Sequence, residues 1–67
     1  MSVIKVVELV ADSPDSWKDA IENAVEKASE TLHNISGVEV TNFTASVKEG
    51  KVTGYKADLH LAFRIDD

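Results

Sequence analysis

The polar side chains best suited to chemistry lie on alternate residues of one short segment, residues 54–65, with the sequence GYKADLHLAFRI. They are Lys56, Asp58, His60 and Arg64. Because successive side chains of a β-strand point to opposite faces of the sheet, these four share one face, and the apolar residues between them need a core on the other. We predict that the polar face meets other subunits or a space that they enclose.

The sequence gives little support for catalysis or metal binding by histidine. The chain has two histidines, His33 and His60, and no cysteine. Neither histidine lies in a pattern that positions a nucleophile or an HExxH-type metal site. A polar position between subunits is favoured for His60 over a ligand or proton-transfer role, and His33 is expected in the last helical turn, beside the negative end of the dipole. We predict that the protein is not an enzyme and has no catalytic residues.

A stripe of like charge is formed by Glu22, Glu26 and Glu30, which stand four residues apart on a predicted helix. Solvated surface is the simpler interpretation. The alternative is a site for Ca²⁺ or Mg²⁺, since both ions take several carboxylate oxygens and copies of the chain could bring more of them together. One helix cannot complete such a shell, so no metal ligand is assigned. Asp58 and Asp66 join Glu22 and Glu26 as candidates in an assembly.

The predicted order of elements is β-α-β-β. Residues 3–10 are rich in β-branched side chains with apolar groups on both parities, which predicts a first strand covered on both faces. A helix is predicted over residues 14–33, with Ser13 as its cap and Pro14 in its first position. Its apolar stripe consists of Trp17, Ala20, Ile21, Ala24, Val25, Ala28 and Leu32.

Two further strands follow the helix. Asn34 or Gly37 is expected to adopt the left-handed conformation that ends helices. In the second strand the apolar parity switches near Thr41 and Asn42, which predicts either a bulge or a strand covered on both sides. Residues 48–51, KEGK, predict a hairpin turn to the third strand.

One helix can cover only one face of a three-stranded sheet. We expect it to bury the odd residues of the third strand: Tyr55, Leu59, Leu61, Phe63 and Ile65. Trp17 is interpreted as part of this core, in preference to a ring that stacks on a ligand. The other face would expose whichever of Ile4, Val6, Val38, Val40 and Ala62 point that way. At 67 residues, a single domain of this kind needs other copies to cover that face, which predicts a homo-oligomer.

The charge balance narrows the choice of partners. The chain has 12 Asp and Glu against 7 Lys and Arg, a net charge of −5, and no basic run. Nucleic acid and anionic membranes are therefore not expected as partners. The first ten residues lack a basic leader and are too short to span a membrane. Together with the absence of cysteine, this predicts a cytoplasmic protein.

Over nearly its whole length, the chain resembles the dodecins, small flavin-binding proteins that assemble as hollow homododecamers. The resemblance rests on the order and spacing of four segments: KVVELV in the first strand, SPDSWKDAIENAVEKASETL as cap and helix, VEV opening the second strand, and GYKADLHLAFRI as the third. It implies an α+β fold, a single domain over residues 1–67, in which a three-stranded antiparallel sheet wraps partly around one helix and twelve copies form a hollow shell.

The resemblance also implies which residues meet a flavin. Dodecins that bind flavin place an aromatic, usually Trp, where this chain has Gly37, and a Gln where it has Lys56. An Arg of the second strand corresponds to Thr44, while a neighbouring hydroxyl is kept as Ser46. With Val38 beside Gly37, these residues form the implied cofactor-binding set.

Loss of the stacking ring and of the Gln implies weakened binding of FMN or riboflavin. The function that follows is a shell for binding and storing a flavin or a related small ligand at subunit interfaces. One alternative is a shell that has lost flavin and holds divalent cations, as in calcium-associated dodecins that also lack the aromatic. The other is a purely structural oligomer.

Overall fold

Three strands and one helix make up the protein, described by a computed structural model over residues 2–65. The elements are β1 (Val3–Ser13), α1 (Trp17–Ala28), β2 (Ile35–Lys48) and β3 (Lys51–Ile65). In the sheet β3 lies in the middle and runs antiparallel to both β1 and β2. The predicted β-α-β-β order with a three-stranded antiparallel sheet is confirmed.

The helix begins at Trp17, three residues after the predicted start at Pro14. Ser13 is not its cap: it still pairs with Tyr55 at the end of β1, and its hydroxyl accepts from the backbone N–H of Asp15 and donates to the Asp19 carboxylate. Ser16 is the cap: its backbone is extended, and its side chain accepts a hydrogen bond of 2.9 Å from the backbone N–H three residues later. Ser13, predicted as the cap of the helix, is therefore the last residue of β1.

The helix also ends early, at Ala28. Ser29 donates a side-chain hydrogen bond of 2.8 Å to the carbonyl of Val25, and the backbone N–H groups of Glu30 and Thr31 donate to carbonyls three residues back. Asn34 then adopts a positive φ of 64°, so Asn34, and not Gly37, has the left-handed conformation after the helix. His33 thus lies beyond the helix, and its predicted place in the last helical turn is wrong.

A bulge in β2 explains the switch in apolar parity. The register shifts between Val40 and Asn42, so Val40 and Phe43 both lie on the side of the sheet that faces the helix. At the far end, Glu49 and Gly50 both have positive φ values, 53° and 77°. This is the two-residue turn of a tight hairpin, whose backbone twist matches that of the flanking strands.

The core lies between α1 and one face of the sheet, around Leu59 and Leu61, which are fully buried. Buried alanines surround them: Ala11, Ala20 and Ala57. The helix has 12 residues and a length of about 18 Å, whereas the molecule extends 52 Å along its longest axis. Ile65 therefore remains 45% exposed and is not the core residue that was predicted. Within residues 2–65, no helix has the length and apolar character to cross a membrane.

Trp17, the first residue of α1, lies at the edge of this core. Its ring meets those of Tyr55 and Phe43 edge-on, with centroids 4.9 Å and 5.8 Å apart. The indole N–H donates a hydrogen bond of 2.9 Å to the carbonyl of Thr44. With its N–H and its ring both engaged, Trp17 joins the helix to the hairpin, but it remains 38% exposed and therefore lies at the edge of the core, not within it as predicted.

Candidate functional site

The polar residues of β3 lie on the face of the sheet that α1 does not cover, which we call the open face. Residues directly opposite each other in an antiparallel pair share a face, so the registers define its membership. From β3 it includes Lys56, Asp58, His60, Ala62 and Arg64. β1 contributes Ile4, Val6, Glu8, Val10 and Asp12. β2 contributes Gly37, Glu39, Asn42, Thr44 and Ser46.

Three of the five predicted cofactor-binding residues come together at one end of the open face. Lys56 lies directly opposite Thr44, and Ser46 lies opposite Gly54. Lys56 and Ser46 line a single hollow of about 290 Å³ together with Asp12 and other residues near the start of the helix. The exposed ammonium of Lys56 and the hydroxyl groups around it suit the polar edge of a ligand.

The other two predicted residues lie elsewhere. Gly37 pairs with Ala62, six residues along β3 from Lys56, which is a separation of about 20 Å along the strand. Val38 pairs with Leu61 and so points to the side that faces the helix. The five residues therefore do not come together in one place within a chain.

Gly37 leaves an open space on the sheet. A Cβ atom added there would meet no heavy atom within 4 Å, and φ is not in the left-handed region. Neither steric crowding nor backbone conformation requires glycine at this position. A Cβ atom at residue 37 would therefore project from the open face into free space.

A charged row crosses all three strands in the middle of the open face. His60 pairs with Glu8 on one side and with Glu39 on the other. Its Nε2 is 3.8 Å from a Glu8 oxygen, and its Nδ1 is 3.3 Å from a Glu39 oxygen. Protonated imidazole would thus form an ion pair with each glutamate. The sequence pattern gave no sign of this row, since only the register brings the three residues together.

The acidic candidates do not converge within one chain. Glu22 and Glu26 lie on the exposed surface of α1, whereas Asp58 lies on the open face, across the sheet. Glu30 pairs with Lys27 at 3.4 Å. Among residues 2–65, no group of three or more metal-ligating side chains is placed to hold one ion. Asp66 lies outside the described residues.

The strand order and the single helix define a small α+β domain in which the helix covers only one face of the sheet. The model of the dodecin family matches residues 3–66. The chain belongs to the dodecin family.

Individual relatives agree with this assignment. The chain is 33% identical over 66 residues to calcium dodecin from Mycobacterium tuberculosis, covering 97% of this chain and 92% of that protein. It is 32% identical over 65 residues to dodecin from Thermus thermophilus, covering 97% and 94%. Among solved structures, dodecin from Streptomyces coelicolor matches with a TM-score of 0.94 and 35% identity, covering 98% of this chain and 94% of that one.

Proposed function

We propose that the protein is a non-enzymatic, cytoplasmic subunit of a dodecin-type shell that binds and stores a small ligand between its copies. The observation that carries the proposal is the separation of the implied binding residues. Gly37 and Lys56 share the open face but lie about 20 Å apart along β3. A ligand that contacts both ends of the set is therefore held by two chains, as in a shell with inter-subunit pockets.

Apolar exposure on the open face supports the same assembly. Ile4, Val6 and Val10 are 51%, 54% and 67% exposed in the single chain. They lie along β1, an edge strand whose outer backbone groups have no partner in the sheet. Apolar side chains beside an unpaired edge favour contact with another copy. We propose that this assembly is the hollow homododecamer implied by the resemblance.

Flavin is the first ligand to test, and we expect this chain to bind FMN or riboflavin more weakly than dodecins with Trp at the position of Gly37. Gly37 offers no ring for stacking, and Lys56 only donates hydrogen bonds where Gln both donates and accepts. Titration of each flavin with protein, followed by quenching of flavin fluorescence, gives both affinities. Affinity equal to that of a Trp-containing dodecin would contradict the residue assignment.

Divalent cations are a second candidate ligand, favoured by the 33% identity to a relative named calcium dodecin. In this alternative the shell has lost flavin, and carboxylates from several copies together supply the oxygen ligands that one chain lacks. Glu22, Glu26, Asp58 and Asp66 are the residues proposed for this role. A shell that holds neither flavin nor cations would be purely structural.

Ca²⁺ or Mg²⁺ is expected to raise the melting temperature of the assembly more than sodium chloride at equal ionic strength. Twelve copies, each with a net charge of −5, repel one another unless cations bind or screen them. An ion that binds only the folded state stabilises it by mass action. Melting curves with chelator, with sodium chloride and with each divalent ion test this. Equal midpoints at matched ionic strength would leave only screening.

A further inference from the structure

We propose that the tip of the β2–β3 hairpin in one copy packs into the groove between α1 and β1 of the next copy. The inference rests on the assembly proposed above and says which surfaces meet in it. The hairpin tip is the helix side of the hairpin beyond the end of α1, formed by Phe43, Ala45, Val47 and Val52. The α1–β1 groove is the cleft lined by Val7, Leu9, Val10, Ala24, Lys27, Ala28, Glu30, Thr31 and Leu32.

The hairpin tip is an apolar surface that its own chain covers only in part, by the contact of Trp17 with Phe43. Phe43, Val47 and Val52 are 53%, 65% and 52% exposed. Val47 and Val52 pair directly and therefore share a face, the same face as Phe43. The helix starts at Trp17, whose ring meets Phe43 and also Tyr55, the strand partner of Ala45. The sheet thus projects an apolar face past its own helix.

The α1–β1 groove is largely apolar, like the hairpin tip, and has a volume of about 660 Å³. Its floor and walls are small or aliphatic side chains, and the alanines of α1 leave room beside the strand. The Lys27–Glu30 pair stands at the rim, where the two charges offset each other. An apolar segment can therefore enter without burying an unpaired charge at that rim.

Charge also favours contact between the tip and the helix of another copy. Lys48 and Lys51 flank the hairpin turn, with Glu49 between them, so the tip is locally basic in an acidic chain. Residues 15–30, which include α1, carry five carboxylates against two lysines. Contact between a basic tip and an acidic helix is electrostatically favourable, whereas two tips or two helices would repel each other.

A second copy is the occupant that the geometry points to. The tip belongs to the hairpin of β2 and β3, whereas the groove lies between α1 and the edge strand β1, so they do not meet in their own chain. Joining the tip of one copy to the groove of the next is a head-to-tail contact. Such contacts close into rings when the rotation between copies permits, which suits a closed shell.

Cysteine cross-linking tests the contact directly, because the natural chain has no cysteine. The double variant Val52→Cys/Thr31→Cys carries one thiol on the tip and one at the groove. Under mild oxidation it should give a ladder of covalent multimers on a denaturing gel, and reduction should collapse the ladder to monomer. The matched control Val52→Cys/Glu22→Cys, with the second thiol on the outer surface of α1, should stay largely monomeric.

A second variant tests how much this contact contributes to the assembly. Val47→Ser/Val52→Ser keeps short side chains on the hairpin but removes its apolar surface, and it should shift the assembly toward smaller species at micromolar concentration. An intact assembly with no ladder, and with unchanged mass for the serine variant, would overturn the contact while leaving the proposed shell in place. So would binding of an apolar dye in the groove of the intact assembly. A natural chain that is monomeric would instead overturn the proposed function.

Discussion

Gly37→Trp is expected to strengthen flavin binding by about tenfold to a hundredfold. Stacking of an aromatic side chain on a heterocyclic base contributes about 1–3 kcal/mol, and each 1.4 kcal/mol is tenfold in affinity. The substitution is feasible because residue 37 has open space around it and no left-handed backbone. Flavin fluorescence quenching, compared between the variant and the natural chain, measures the change.

Two companion variants make this test specific. Gly37→Leu adds apolar bulk at the same place without an aromatic ring, so it should recover little of the gain. Lys56→Gln, combined with Gly37→Trp, should add to the gain, since Gln can both donate to and accept from the flavin edge. Unchanged quenching in both Trp-containing variants would mean that residue 37 does not line the ligand pocket.

Leu59→Ala is expected to lower the free energy of unfolding by about 2–5 kcal/mol, the usual cost of such a cavity. Leu59 is fully buried at the centre of β3 and packs against the helix and both neighbouring strands. In a small domain this is a large share of the total stability. Denaturant unfolding at one fixed protein concentration measures the change, because the stability of an assembly depends on concentration.

The control for this prediction is Lys18→Ala, on the exposed surface of the same helix. Surface substitutions of this kind usually change stability by no more than about 0.5 kcal/mol. If Leu59→Ala were as mild as Lys18→Ala, the helix would not be packed on β3 as described. If both were severe, the outer surface of α1 would be buried in the assembly.

The fold could be predicted from the sequence because its signals are local. Alternation in residues 54–65 marks β3, and the parity switch near Thr41 marks the bulge of β2. The limits of the helix could not be predicted in the same way, since tertiary pairing decided them. Ser13 has the right chemistry for a cap, but its pairing with Tyr55 keeps it in the sheet. Ser16 takes its place.

The candidate site was only partly accessible to sequence reasoning. Lys56, Thr44 and Ser46 could be grouped by resemblance, and the register of β2 and β3 does bring them together. The row in which Glu8 and Glu39 flank His60 could not be foreseen, since it depends on two strand registers at once. The distance from Gly37 to Lys56 along β3 likewise required the structure.

The mass of the natural protein in solution tests the central claim most directly. If the proposed homododecamer forms, light scattering at micromolar concentration should give about twelve times the chain mass of 7.3 kDa; the apolar residues left exposed in the single chain favour such an assembly. A stable monomer or dimer would contradict the account, because neither a shell nor a pocket between its subunits would then exist.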